Sequence, residues 1–173
     1  AMWKGYTELL SLGWIERRPK LVAAQSEAAA PIVAALERGL ADVEPVLARE
    51  TIAESIQVGN PVSLGWRALA AIRESNGTAV AVSDGEILDA QALIGNLAGI
   101  FAEPAAATSV AVAKKLRDGG VIARNDAVVC NLTGHGLKQP EAIQLPEKEL
   151  APIAPTLDAL REQLSRAGEA KSR

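Results

Sequence analysis

Thr78-Ala79-Val80-Ala81-Val82-Ser83-Asp84-Gly85-Glu86-Ile87 decides the fold class. Residues 78–82 read as a strand, rich in β-branched residues. Ser83 and Glu86 then make a Ser-x-x-Glu capping box. The serine oxygen accepts the third helix N–H while the glutamate reaches back. The helix entered there should run from 84 to about 97 and bury Ile87, Leu88, Leu93 and Ile94. Strands alternating with helices imply a parallel sheet covered by helices.

The same logic extends upstream. Asn76-Gly77 closes a helix over 61–75 whose apolar face is Leu64, Ala68, Leu69 and Ile72. That helix follows Gly59-Asn60-Pro61, a strong turn signal. Residues 41–50 are polar and read as a loop. Residues 28–38 are an Ala-rich helix with Pro31 in its first turn and Gly39 as its stop. Lys20-Leu21-Val22-Ala23-Ala24-Gln25 is nearly all apolar, as a strand buried on both faces would be. Residues 1–12 form an amphipathic helix ended near Gly13. Nothing ahead of it caps its first N–H groups, so the chain is expected to begin inside a structural unit of a longer protein.

Downstream, Phe101-Ala102 should be extended ahead of Pro104. Pro104 then opens a helix to Leu116, stopped by Gly119-Gly120. Residues 126–132 read as a third strand. The prolines at 146, 152 and 155 make a loose tail, followed by an amphipathic helix over 156–165 and a fraying end, Lys171-Ser172-Arg173. The expected fold is α/β, a three-layer αβα arrangement with a mainly parallel sheet and right-handed crossovers. Residues 1–140 form its body and 141–173 a tail with a short helix.

Composition removes several function classes. The chain has 173 residues, 49% of them hydrophobic, and a net charge of −3. That is enough for a real core and gives no basic footprint for nucleic acid. No apolar run approaches a membrane span. A single cysteine, Cys130, gives no disulfide framework and fits a reducing, cytoplasmic compartment. With one cysteine and one histidine, a Cys/His structural zinc site is out, and no metal is expected. No Gly-x-Ser-x-Gly elbow, dinucleotide fingerprint or P-loop occurs.

The stretch with most chemical promise is Val128-Val129-Cys130-Asn131-Leu132-Thr133-Gly134-His135-Gly136-Leu137-Lys138. A β-branched run empties into a short polar turn, where open α/β sheets bind ligands. Two glycines around the lone histidine allow a tight turn and close approach. Taken alone, Thr133 reads as satisfying its own loop backbone.

Thr-Gly-His-Gly-Leu-Lys after a Val-Val strand resembles the C-terminal signature of the threonine synthase family, fold type II enzymes dependent on pyridoxal 5'-phosphate (PLP). Trp3-Lys4-Gly5-Tyr6, Ile56-Gln57-Val58-Gly59-Asn60-Pro61, Val82-Ser83-Asp84-Gly85-Glu86-Ile87 and Gly99-Ile100-Phe101-Ala102-Glu103-Pro104-Ala105 agree with it, in order. The resemblance runs from residue 1 to about Pro140, which would make 1–140 the C-terminal part of the PLP-binding large domain.

The resemblance implies PLP as cofactor, with Thr133 at the position whose hydroxyl faces the ring nitrogen. The segment containing Ile56 and Gly59 would run along one face of the ring. Glu103 would lie near the cofactor or cap its helix. His135 would be structural, held by its loop or bordering the ring, and Lys138 a loop charge. The family's Schiff-base lysine and phosphate-cradling loop belong to its N-terminal half, and no lysine here sits in that motif. This chain is therefore expected to carry no catalytic residue and to be inactive alone. The implied reaction takes O-phospho-L-homoserine and water to L-threonine and phosphate, in a homodimer completed by the N-terminal half. Threonine dehydratase, cysteate synthase or a non-catalytic remnant are the alternatives.

Overall fold

The structure, a computed structural model, describes residues 1–142 and 152–169. The chain divides into two units, Ala1–Ile143 and Gln144–Arg173. In the first, strands β1 (Val22–Ser26) and β2 (Thr78–Val82) are parallel neighbours, with Val22 opposite Thr78 and Ser26 opposite Val82. The crossover between them carries helices α2 (Pro31–Glu37) and α3 (Gly65–Glu74). Helices α4 (Asp84–Ala98) and α5 (Pro104–Asp118) follow β2, and α1 (Met2–Ser11) precedes β1. Helices α2 and α3 pack on each other and on the strands. Helices α4 and α5 form a second pair, with α5 against both strands. The mixed α/β class and the parallel sheet are as the sequence indicates.

Local chemistry accounts for most of these elements. The Ser83 hydroxyl accepts the Glu86 N–H at 3.3 Å, and the Glu86 carboxylate accepts the Ser83 N–H at 2.8 Å. Gly99, at φ 65°, closes α4 in the left-handed conformation a side chain would resist. Pro31 sits at the start of α2. The Gln25 carboxamide oxygen accepts the Ile32 and Val33 N–H groups at 3.0 and 3.1 Å, so the strand caps the helix that follows it. Trp3 ties α1 to α3 by donating to Glu74 at 2.6 Å, and Arg18 stacks on the Trp3 ring.

The main core lies between β2, α4 and α5. Val82, Ile87 and Ile94 meet the small side chains Ala102, Ala106, Ala107 and Ala111. Small residues let α5 approach closely, and its residues 104–108 are all buried.

Several expectations change. Neither strand is buried on both faces; only their last residues, Ser26 and Val82, are fully buried. Among the described residues the sheet has two strands, so each has one unpaired edge there. Leu93 is 38% exposed, and Leu64 is also exposed. Helix α3 starts four residues late, after a 3-10 turn at Val62–Leu64, because Val62 adopts φ 50°, which is not helical.

The largest change concerns residues 126–132, which join no ladder and form no strand among the described residues. The segment is nonetheless sided like one. Leu132 packs on the core and Cys130 donates its thiol toward the Ser109 carbonyl at 3.7 Å, while Val129 is 91% exposed. Alternation records which side is buried, whereas a strand also needs a partner backbone.

In the second unit, α6 (Leu157–Glu169) begins after Thr156, whose hydroxyl accepts the Ala159 N–H at 3.3 Å. Pro146, Lys148 and the Lys171-Ser172-Arg173 end lie outside the described residues.

Candidate functional site

Residues 101–103 and 134–138 form a clasp at the start of α5. Ala102 and His135 make an isolated antiparallel bridge. The Glu103 N–H donates to the Gly134 carbonyl at 3.1 Å, and the Gly136 N–H to the Phe101 carbonyl at 2.9 Å. Gln91 of α4 holds the clasp down by donating to the Ala102 carbonyl at 2.8 Å.

Both glycines of the turn are explained by this contact. A Cβ on Gly134 would stand 1.9 Å from a Glu103 carboxylate oxygen, and one on Gly136 would stand 2.1 Å from the Phe101 ring. Neither has a positive φ, so close packing, not turn geometry, requires glycine here. The partners they approach belong to the chain itself. His135 lies edge-on to Phe101 with ring centroids 5.4 Å apart, and its Nδ1 accepts the Leu137 N–H at 3.2 Å. It is held by its loop.

Glu103 occupies the N-cap of α5 but makes no side-chain cap. Its carboxylate is 4% exposed and pairs with Lys138 at 2.8 Å. The loop charge expected at Lys138 is therefore the counter-ion of a buried carboxylate. Sequence reading missed this pair because nothing local links the two positions; only the sixth place of Lys138 in the Thr-Gly-His-Gly-Leu-Lys run hinted at it.

Thr133 precedes the clasp. It is exposed, and its hydroxyl makes no hydrogen bond among the described residues, so its own loop does not use it. Ile56 ends a 3-10 turn, Glu54–Ile56, that packs on α5, and its side chain joins the edge of the same core as Leu132. Glu103, Ile56 and the residue preceding Thr133 thus converge on α5. Gly59 is engaged elsewhere. A Cβ there would stand 2.3 Å from the Val46 carbonyl, and the Val46 N–H donates to the Gly59 carbonyl at 2.9 Å. Asn60 serves the helix entry by accepting the Val62 N–H at 3.0 Å.

A buried relay, also missed from sequence, anchors the Ile56 turn to the carboxyl ends of both strands. The Ser26 hydroxyl donates to Thr51 at 3.0 Å, and Thr51 donates to the Asp84 carboxylate at 2.5 Å. The other Asp84 oxygen accepts the Ile52 N–H at 3.1 Å. Fully paired polar groups of this kind fix one geometry for the segment they hold.

Three of the other lysines are occupied. Lys4 pairs with Glu8, and Lys114 pairs with Asp118 at 2.6 Å. Lys115 donates to the Ala81 carbonyl at 3.0 Å and pairs with Glu86 at 3.2 Å. Burial pushes the Cys130 thiol up, which disfavours the nucleophilic thiolate. Among the described residues no His, Cys, Asp and Glu group could hold a metal ion, and no helix is long and apolar enough to cross a membrane.

The sequence profile of the family described as "Pyridoxal-phosphate dependent enzyme" matches residues 1–134. The chain is 44% identical over 164 residues to a threonine synthase of Methanosarcina acetivorans, covering 95% of this chain and 40% of that protein. It is 46% identical over 142 residues to a threonine synthase of Methanocaldococcus jannaschii, covering 82% and 35%. The chain thus spans about two fifths of the length of the curated relatives it matches. Among solved structures it is similar to a threonine deaminase from T.th., with a TM-score of 0.50 and 19% identity over 74% of this chain and 58% of that one, a likeness of fold. Because that family profile covers residues 1–134, well over half of the sequence, this chain belongs to the pyridoxal-phosphate dependent enzyme family.

Proposed function

We propose that this chain is the C-terminal portion of a threonine synthase, which converts O-phospho-L-homoserine and water to L-threonine and phosphate. The observation that carries the reading is the Thr133 loop, clasped through Gly134 onto the buried Glu103. Its support in sequence is the 41–46% identity to threonine synthases. Residues 1–140 are read as part of the cofactor-binding domain and 141–173 as a tail.

The residues present fit the cofactor. Thr133 offers an exposed hydroxyl that no described group uses, on a loop whose far side is fixed. When bound, PLP supplies an electron sink for negative charge developing on the substrate. Thr133 would donate a hydrogen bond to the ring nitrogen and leave that nitrogen unprotonated, which would moderate the sink. Ile56 would border one face of the ring and exclude water from it, while Gly59, packed against Val46, would hold the segment that presents it. Glu103 walls the site and holds the loop.

The lysine that anchors the cofactor and the loop that binds its phosphate come from an N-terminal half, and the enzyme works as a cytoplasmic homodimer. The 173-residue chain alone does not turn over substrate. The likeness to threonine deaminase is one of fold at 19% identity and does not favour dehydration over phosphate elimination.

The test is an assay of the full-length enzyme carrying this segment. Phosphate release from O-phospho-L-homoserine, with threonine as co-product, is the expected result. Release of ammonia from threonine without phosphohomoserine turnover would refute it. Thr133→Val should lower kcat roughly tenfold or more and shift the absorption of bound PLP, as loss of a hydrogen bond worth about 1–3 kcal/mol would.

A further inference from the structure

We propose that Lys138 is a positioning residue. By pairing with Glu103 it fixes where the Thr133 hydroxyl stands. The proposal rests on the reading of Thr133 given above.

The geometry is that of a carboxylate gripped from two sides. On one side it meets Gly134, so closely that no Cβ would fit between them. On the other it meets the Lys138 ammonium, 2.8 Å away. The two grips come from the two ends of one loop. The backbone bonds of the clasp, at Glu103 to Gly134 and Gly136 to Phe101, set the register of residues 134–136. Thr133 lies just outside that register. The wall that keeps its neighbour Gly134 in place is the Glu103 carboxylate itself.

That carboxylate has no second polar partner among the described residues. It makes no cap on α5, and Lys138 is its cationic partner among the described residues. The asymmetry of burial defines the roles. The carboxylate is 4% exposed while Lys138 is 58% exposed, so the lysine reaches in from solvent and the glutamate cannot reach out without leaving its seat. A buried carboxylate deprived of its cation must turn toward water or take up a proton. Turning removes the wall behind Gly134 and releases Thr133.

The experiment uses the full-length enzyme with Lys138→Met, Lys138→Arg, Glu103→Gln, the Lys138→Met/Glu103→Gln double variant and Thr133→Val. Three quantities are read: amide hydrogen exchange across 133–136 without PLP, and the absorption band and the affinity of bound PLP. Lys138→Met should speed exchange at Gly136, whose N–H donates to the Phe101 carbonyl, shift the band and weaken PLP binding roughly tenfold, within the range of couplings between contacting residues. Lys138→Arg should restore all three. In the Glu103→Gln background Lys138→Met should add little, since the pair is already broken.

Unchanged exchange and an unchanged band in Lys138→Met, with Thr133→Val still shifting the band, would overturn this proposal alone. A Thr133→Val enzyme with the wild-type band would instead remove the ring contact on which it rests.

Discussion

Helices α4 and α5 are of equal length and pack on each other, yet they begin in opposite ways. Helix α4 opens on Ser83, whose side chain and that of Glu86 close a box within one turn of chain. Helix α5 opens on Glu103, whose carboxylate ignores its own helix and pairs with Lys138, far along the sequence. The first start is complete in itself. The second is complete only when the Thr133–Lys138 loop has docked. A cap residue whose side chain pairs with a distant lysine ties local structure to a loop, and here that loop carries the candidate cofactor contact.

The contrast can be broken most forcefully at the glycines. Gly136→Ala places a methyl 2.1 Å from the Phe101 ring and should cost about 3 kcal/mol, toward the upper range for overpacking. Denaturant unfolding of the chain measures it. A loss under about 0.5 kcal/mol would show that the clasp is loose. Next in size is Ser83→Ala, which removes the local cap and should cost about 1 kcal/mol while leaving hydrogen exchange at 134–136 unchanged.

Gly85→Ala, in the first turn of α4, should have the opposite sign to the clasp substitution. Its Cβ would meet only the Ser83 hydroxyl, at 4.0 Å, and better helix propensity should stabilise by about 0.5 kcal/mol. The smallest effect concerns pH. The Ser83 backbone N–H, and after it the Lys115 ammonium, hold the Glu86 carboxyl below its ordinary range. A carboxyl lowered on folding stabilises above its unfolded value and loses that contribution as pH falls through the folded value, so the window lies below about pH 4.3. Glu86 is partly exposed, and solvent screening limits the effect to a few tenths of a kcal/mol. Glu86→Gln should flatten that part of the stability profile. An unchanged profile would show that the box does not depend on charge.

Residues 126–132 show where reading from sequence stops. The apolar run is visible in Val128, Val129 and Cys130, and the structure lays Cys130 on α5 and Leu132 on the core while leaving Val128 and Val129 exposed. Pairing is not visible, because a ladder belongs to two backbones and periodicity reports on one. Leu64 and Leu93 were expected inside for the same reason. A helical face can be read from spacing, but how far the neighbouring element covers it cannot.

What the sequence determined by itself is whatever acts over a few residues: β1, β2, the capping box of α4, the proline start of α5, and the order of motifs that marks the family. What only the tertiary structure decided is everything that needs two distant stretches at once. Gly134 and Gly136 are glycines because Glu103 and Phe101 press on them, and Lys138 matters because a carboxylate is buried beneath it. The division has a physical cause. Dihedral preferences and caps are satisfied within one turn of chain, whereas steric exclusion and the pairing of a desolvated charge are properties of the folded contact and have no local signature.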